Sequence, residues 1–220
     1  MAQQRQVGFA LEAVARHAAA GGVEEVTLHT NAGTITARLH PAPAGAPAVV
    51  WVGGAGGGLD GPAGGLYPRL AGELAARGMA SLRLHYRHPN DLENCVADTL
   101  LGVQYLKQLG YRRMGLVGHS FGGAVVITAG ALSPEVAAVV ALSSQTYGTS
   151  LAPQVSPRPL LLVHGLDDEI LPPRCSEHIY AQAREPKELQ LYSGCRHGLD
   201  ECREQVAAAV LAWLQRQLAA

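Results

Sequence analysis

From Ala48 to the C-terminus, short apolar runs alternate with stretches of helical period, and few architectures accommodate that alternation. Ala48–Val52, Met79–Tyr86, Met114–Val117, Val136–Leu142, Leu160–Val163 and Leu189–Tyr192 read as strands. Apolar runs of this length, bounded by glycine or polar turns, suit strands covered on both faces. Between them lie helical patterns. Tyr67–Arg77 has Pro68 in its first turn and Gly78 at its end. Asn90 and Glu93 resemble a capping box ahead of a Leu92, Val96, Leu100, Val103 stripe that Gly110 stops. Phe121–Leu132, Cys175–Ala183 and Val206–Leu218 complete the set. The pattern predicts an α/β fold: a mostly parallel central sheet with helices on both faces.

Ahead of this region, Val26 and Leu28, then Ile35, Ala37 and Leu39, take alternate places around Asn31-Ala32-Gly33. That is an antiparallel hairpin, expected at one edge of the sheet. Pro41–Pro47 reads as a loop. The 220 residues are within reach of one domain, so residues 1–220 are expected to form a single unit. Residues 1–22 read as an amphipathic N-terminal extension compatible with a helix.

Composition narrows the function classes. Hydrophobic residues make up 48% of the chain and charged residues 16%, yet no apolar run approaches the ~18 residues of a spanning helix. Net charge is -1 and no basic block is present, which excludes nucleic-acid or anionic-lipid binding by bulk charge. Glu12, Arg16 and His17 interrupt any apolar signal core, so a cytoplasmic location is expected. Cys95, Cys175, Cys195 and Cys202 show no C-x-x-C spacing and are expected to be free thiols.

Gly118-His119-Ser120-Phe121-Gly122 lies between a strand and a helix, the context in which G-x-S-x-G has chemical meaning. A serine on so tight a turn presents its hydroxyl at the head of a helix, where the helix dipole favours negative charge. Glycines on either side let neighbouring elements approach.

With these residues the sequence resembles the α/β-hydrolase superfamily, and within it small, lidless, dienelactone-hydrolase-like serine esterases, from about Val23 onward. The resemblance implies an α/β-hydrolase fold with no cap domain and a triad in the order nucleophile, acid, histidine. Ser120 is the implied nucleophile. His164-Gly165-Leu166-Asp167-Asp168 matches the family's H-G-x-x-D pattern, which places the acid at Asp168, with Asp167 as competitor. His197, after the last strand, is the implied base. The oxyanion hole would use the N–H of Phe121 and one from the loop Gly53–Gly58. Ala55 aligns with that donor. Gly53 stands where relatives carry His, so Gly54 and Gly56 remain alternatives.

The implied activity is hydrolysis of a small carboxylic ester through an acyl-enzyme, with a small-molecule acyl substrate and no cofactor or metal. A thioesterase, amidase or peptidase would use the same triad, and a non-catalytic hydrolase-fold binding protein is the alternative from another class. Gly56-x-Gly58-x-x-Gly61 formally matches a dinucleotide fingerprint, but Pro62 and Gly64-Gly65 delay the next helix and no ribose-binding acid ends the next strand. His85-x-x-His88 lacks a third metal ligand nearby. His119, Arg87, His88 and Tyr147 are read as structural, with Arg87 and Tyr147 on loops that wall the site. Only Gln145–Pro159, rich in proline, separates two strands where larger relatives insert a lid, so an open, shallow site is expected.

Overall fold

The computed structural model describes residues 9–219. Nine strands form one sheet in the order β1-β2-β3-β5-β4-β6-β7-β8-β9. They are β1 (Leu11–Ala18), β2 (Glu24–Thr30), β3 (Gly33–His40), β4 (Ala48–Val52), β5 (Ala80–His85), β6 (Met114–His119), β7 (Val136–Leu142), β8 (Leu160–Gly165) and β9 (Lys187–Tyr192). From β5 to β9 all pairings are parallel, and β1, β2 and β3 add an antiparallel edge. The helices are α1 (Leu66–Ala76), α2 (Leu92–Gln108), α3 (Phe121–Leu132), α4 (Ala152–Val155), α5 (Arg174–Gln182) and α6 (Arg203–Leu218).

The apolar runs are continuous because each central strand is covered twice. In β4, Val50 and Val52 join the core under α2 and α3, while Val49 and Trp51 join the opposite core, which holds Leu70 of α1 and Trp213 of α6. Every residue of β4 is buried. This is the α/β-hydrolase fold, with the antiparallel strands at its N-terminal edge.

Four local expectations are corrected. Residues 9–22 contain a strand, β1, in place of a helix, followed by a short 3-10 turn at Ala20–Gly22; residues 1–8 of the extension lie outside the described residues. The cap of α2 is Asp91, whose carboxylate accepts the Asn94 N–H at 3.1 Å, and Asn90 sits one residue earlier with φ 68°. Arg87 does not wall the site. Its guanidinium meets Asp98 at 2.6 Å in a buried pair and reaches the hairpin turn at the Ala32 carbonyl.

The fourth correction concerns the thiols. Cys195 and Cys202 form a disulfide, and only Cys95 and Cys175 are free. The turn between them, with Leu199 at φ 58°, brings their Cα atoms to 5.8 Å, inside the range a disulfide spans. Alkylation of the denatured, unreduced protein is therefore expected to modify two cysteines, and four after reduction. Mass spectrometry of the intact chain checks this, and four modifications without reductant would remove the bridge.

Candidate active site

The turn from β6 to α3 is held by three close approaches that only glycine permits, two to backbone and one to a side chain. A Cβ on Gly118 would run into the Gly122 carbonyl, and one on Gly122 into the Gly53 carbonyl. A Cβ on Gly123 would reach the Ser144 side chain. With its neighbours this close, Ser120 is driven to φ 57° and ψ -118°. Conformations of this kind cost on the order of 1–3 kcal/mol and persist where the surroundings fix them. Here the Ser120 N–H donates to the Leu142 carbonyl at 2.8 Å, and the Ser120 carbonyl accepts from Gly123 at 3.0 Å. Phe121 follows as the first residue of α3, so its N–H has no intrahelical acceptor.

The loop after β4 reaches the same turn. It closes on itself through the Gly57 N–H to the Gly54 carbonyl at 2.9 Å. A Cβ on Gly54 would lie 3.5 Å from Ser120 Cβ, so this backbone passes over the serine and continues into Ala55. Gly56 faces open space. Tyr67 and Tyr86 donate their hydroxyls to the carbonyls of Val52 and Gly53, at 2.8 and 3.2 Å, and so fix where the loop leaves the strand. His85 supports the far side of the loop: its Nδ1 accepts the Gly58 N–H at 2.8 Å. Among the described residues no group of three or more His, Cys, Asp or Glu is placed to hold a metal ion.

Asp168 is 8% exposed, whereas Asp167 is exposed. The structure brings Asp168 to His197: Oδ2 meets Nδ1 at 2.7 Å. Its Oδ1 accepts the N–H groups of Ile170 and Leu171 at 2.9 and 2.8 Å. Burial alone would raise the carboxyl, but the hydrogen bonds from His197, Leu171 and Ile170 outweigh it and hold Asp168 below the ordinary carboxylate range. Sequence reasoning used His164 only to locate this acid. In the structure it is fully buried, with Nε2 at 3.0 Å from Asp168 Oδ2 and 2.8 Å from the Leu171 carbonyl, and Nδ1 at 2.7 Å from Ser176 Oγ. The signal available in the sequence was the H-G pair ahead of the acid, whose spatial partners it does not encode.

His197 is tied to the serine turn through the elbow's own histidine. The His119 and His197 rings lie 4.8 Å apart, and His119 Nε2 is 3.0 Å from the His197 carbonyl. A carbonyl only accepts, so Nε2 carries the proton. Burial pushes His119 down to about 4, so the ring is neutral at working pH. The His197 loop is pinned elsewhere by the Cys195–Cys202 bridge and by Gly198, whose carbonyl accepts the Ala63 N–H at 2.7 Å. An open groove of about 550 Å³, lined by Thr146, Pro172, Arg174, Cys175 and His178, runs beside the acid-bearing loop. Tyr147, 74% exposed, stands on the loop that also contributes Thr146.

Fold and site together define a protein of the α/β-hydrolase class. A sequence model of the dienelactone hydrolase family matches residues 66–218, and the chain belongs to that family of hydrolases. Over 146 residues it is 30% identical to the uncharacterized protein YfhR of Escherichia coli, an alignment covering 52% of this chain and 51% of that one. The chain thus spans about half the length of the curated relatives it matches. Among solved structures it is similar to dienelactone hydrolase from Anabaena variabilis (TM-score 0.78, 19% identity, 93% of this chain and 99% of that one). It is also similar to Est1E from Butyrivibrio proteoclasticus (TM-score 0.76, 20% identity, 89% and 99%).

The neutral histidines make stability depend on pH. His119 and His40 are both lowered to about 4, chiefly by burial, with Arg83 adding to the effect at His40. A depressed histidine contributes stability above its unfolded value of about 6.5, and that stability is lost as pH falls toward about 4. Urea unfolding between pH 7 and 4.5 should show declining stability. In His119→Gln the slope should be shallower by about one proton. An unchanged slope would mean that His119 protonates freely in the folded state.

Proposed function

We propose that the chain is a serine hydrolase acting on small carboxylic esters, with Ser120 as nucleophile, His197 as general base and acid, and Asp168 as the residue that fixes the imidazole. The observation that carries this reading is the 2.7 Å Asp168–His197 pair, whose imidazole lies 4.8 Å from that of His119, the residue next to Ser120 in its left-handed conformation. With Nδ1–H given to Asp168, Nε2 of His197 is the free base. It takes the Ser120 proton as Oγ bonds to the acyl carbon, then returns that proton to the departing alkoxide. Water repeats the sequence and releases the acid. The N–H of Phe121 and that of Ala55 are the proposed donors to the oxyanion, Ala55 because it follows Gly54, whose backbone lies against Ser120.

The substrate class rests on what covers the site. Helix α4 has four residues, and Ala152 and Val155 are buried in the core that also holds α3. The segment after β7 therefore packs down onto the fold and forms no lid. An open cleft buries little of a long acyl chain and gains little from each added methylene.

The test of the triad is hydrolysis and fluorophosphonate labelling of folded variants. Ser120→Ala is expected to lose all labelling and about 10⁴–10⁶-fold in kcat, and His197→Ala to lose comparably, because triad members act as a unit. Asp168→Asn should cost about 10⁴-fold, and Asp167→Asn little. Full activity in folded Ser120→Ala would falsify the reading, and the reverse ranking of the aspartates would move the acid.

A second measurement addresses the substrate. With p-nitrophenyl esters of increasing acyl length, kcat/KM is expected to be highest for short chains and to show no jump at micelle formation. Rates that climb with chain length and rise at the micellar threshold would indicate a lipase.

A further inference from the structure

His164 is a buried imidazole that the proposed reaction does not use, and its three partners define its state. Two of them, the Asp168 carboxylate and the Leu171 carbonyl, lie at Nε2 and can only accept. Nε2 therefore carries a proton and is shared between them. The third, Ser176 Oγ, lies at Nδ1 at 2.7 Å and is itself fully buried on α5. Burial lowers the His164 ring, opposed by the Leu171 carbonyl and Asp168, so the ring is neutral. Nδ1 is then an acceptor and the Ser176 hydroxyl is its donor. Ser176 thus selects the tautomer that points an N–H at the acid.

We propose that His164, held in one tautomer by Ser176, is a positioning residue that locks the Asp168 carboxylate and sets how strongly it draws the proton of His197. The proposal rests on the triad assigned above. Oδ2 of Asp168 accepts from His197 at 2.7 Å and from His164 at 3.0 Å, while Oδ1 accepts two backbone N–H groups. Four donors leave the carboxylate no free lone pair and no freedom to rotate. The His164 N–H also draws off charge from the oxygen that His197 faces. Without it, that oxygen would bind the imidazolium form of His197 more strongly and make the base harder to deprotonate.

Other groups act on this pair. His119 faces His197 from β6 and is neutral. Cys175 lies toward Asp168 from α5. Arg196 and Glu201 pair with each other at 2.7 Å in the His197 loop, where Asp200 also lies, and Glu169 follows the acid. None of these groups donates to Asp168 Oδ2.

The experiment compares wild type with His164→Leu, His164→Gln and Ser176→Ala. Readouts are the kcat and KM split, the acid limb of kcat/KM against pH, and the proton NMR titration of the His197 Nδ1–H without substrate. In His164→Leu, kcat is expected to fall about 10- to 100-fold with KM little changed, the range for losing a hydrogen bond to a charged group. The acid limb and the NMR titration should move together to higher pH. His164→Gln, which can present an amide N–H at the Nε2 position, should restore both in large part, and Ser176→Ala should shift both by a smaller amount. A purely structural role would lower Tm and activity together, leave the limb in place and show no rescue by Gln; that result overturns the proposal. If His164→Leu does not fold, an unmoved limb in Ser176→Ala overturns it equally. The NMR titration separates this proposal from the hydrolase reading. A wild-type chain that cleaves no ester would sink the latter, whereas the His197 response to His164 is read without turnover.

Discussion

The candidate site depends on backbone meeting backbone where β4, β6 and α3 converge. Gly118 and Gly122 each place a bare Cα against a carbonyl of a neighbouring element, where a single methyl would drive the elements apart, and Gly53 places one against the Gly57 carbonyl of its own loop. Because α3 starts this close to β6, Ser120 has no room for an ordinary turn and takes φ 57°. The strain is held by the Leu142 carbonyl on one side and by the buried body of α3 on the other. The same proximity brings the loop after β4 over the serine, so one packing constraint sets both the conformation of Ser120 and the course of the loop above it.

The central strands and the helices between them were legible in the sequence because burial on both faces leaves continuous apolar runs that no other element of that length explains. β4, α3 and β7 end where the apolar pattern ends. The N-terminal strand was not legible. Leu11–Ala18 is mostly exposed, with only Leu11 and Ala15 half-buried, and that spacing of four suits a helix as well as a strand. What decides the matter is pairing with β2, a contact the local pattern does not carry. The misplaced cap of α2 has a smaller cause. Asn90 and Asp91 are both good capping residues, and Asn90 takes the left-handed conformation that an asparagine tolerates, which leaves the cap to Asp91.

The candidate site divides in the same way. The positions of the Ser120 turn, Asp168 and His197 after β6, β8 and β9 were readable as motifs, since each is written in consecutive residues. What supports them is written across the chain. The His119 contact joins residues 78 apart, and the Cys195–Cys202 bridge depends on a left-handed turn at Leu199 that no spacing rule anticipates. Arg87 is structural, as read, but for a related reason the sequence did not show which way its side chain turns. An arginine at a strand end is free to face the cleft, and only the buried Asp98 on α2 shows that it turns toward the hairpin.

The location of the site follows from the strand order. β4 lies between β5 and β6, so the chain leaves β4 toward one neighbour and returns past it to the other. The connections after β4 and β6 therefore lead to helices on opposite faces of the sheet, α1 on one and α3 on the other, and their first residues meet at the carboxyl ends of the strands, the usual place for a ligand in an open α/β sheet. β8 and β9 lie farther along the sheet, at the edge, and their residues must be carried back to that meeting point. Gly165 makes this possible at the end of β8. Its missing Cβ lets the Cys195 carbonyl settle against the strand, where the same oxygen also accepts the Asp167 N–H at 3.0 Å. The two edge loops are thus bonded to each other before either reaches the serine. Asp168 and His197 arrive as a bonded pair, the His119 contact joins that pair to the serine turn, and the Ala63–Gly198 bond holds the His197 loop to the segment before α1.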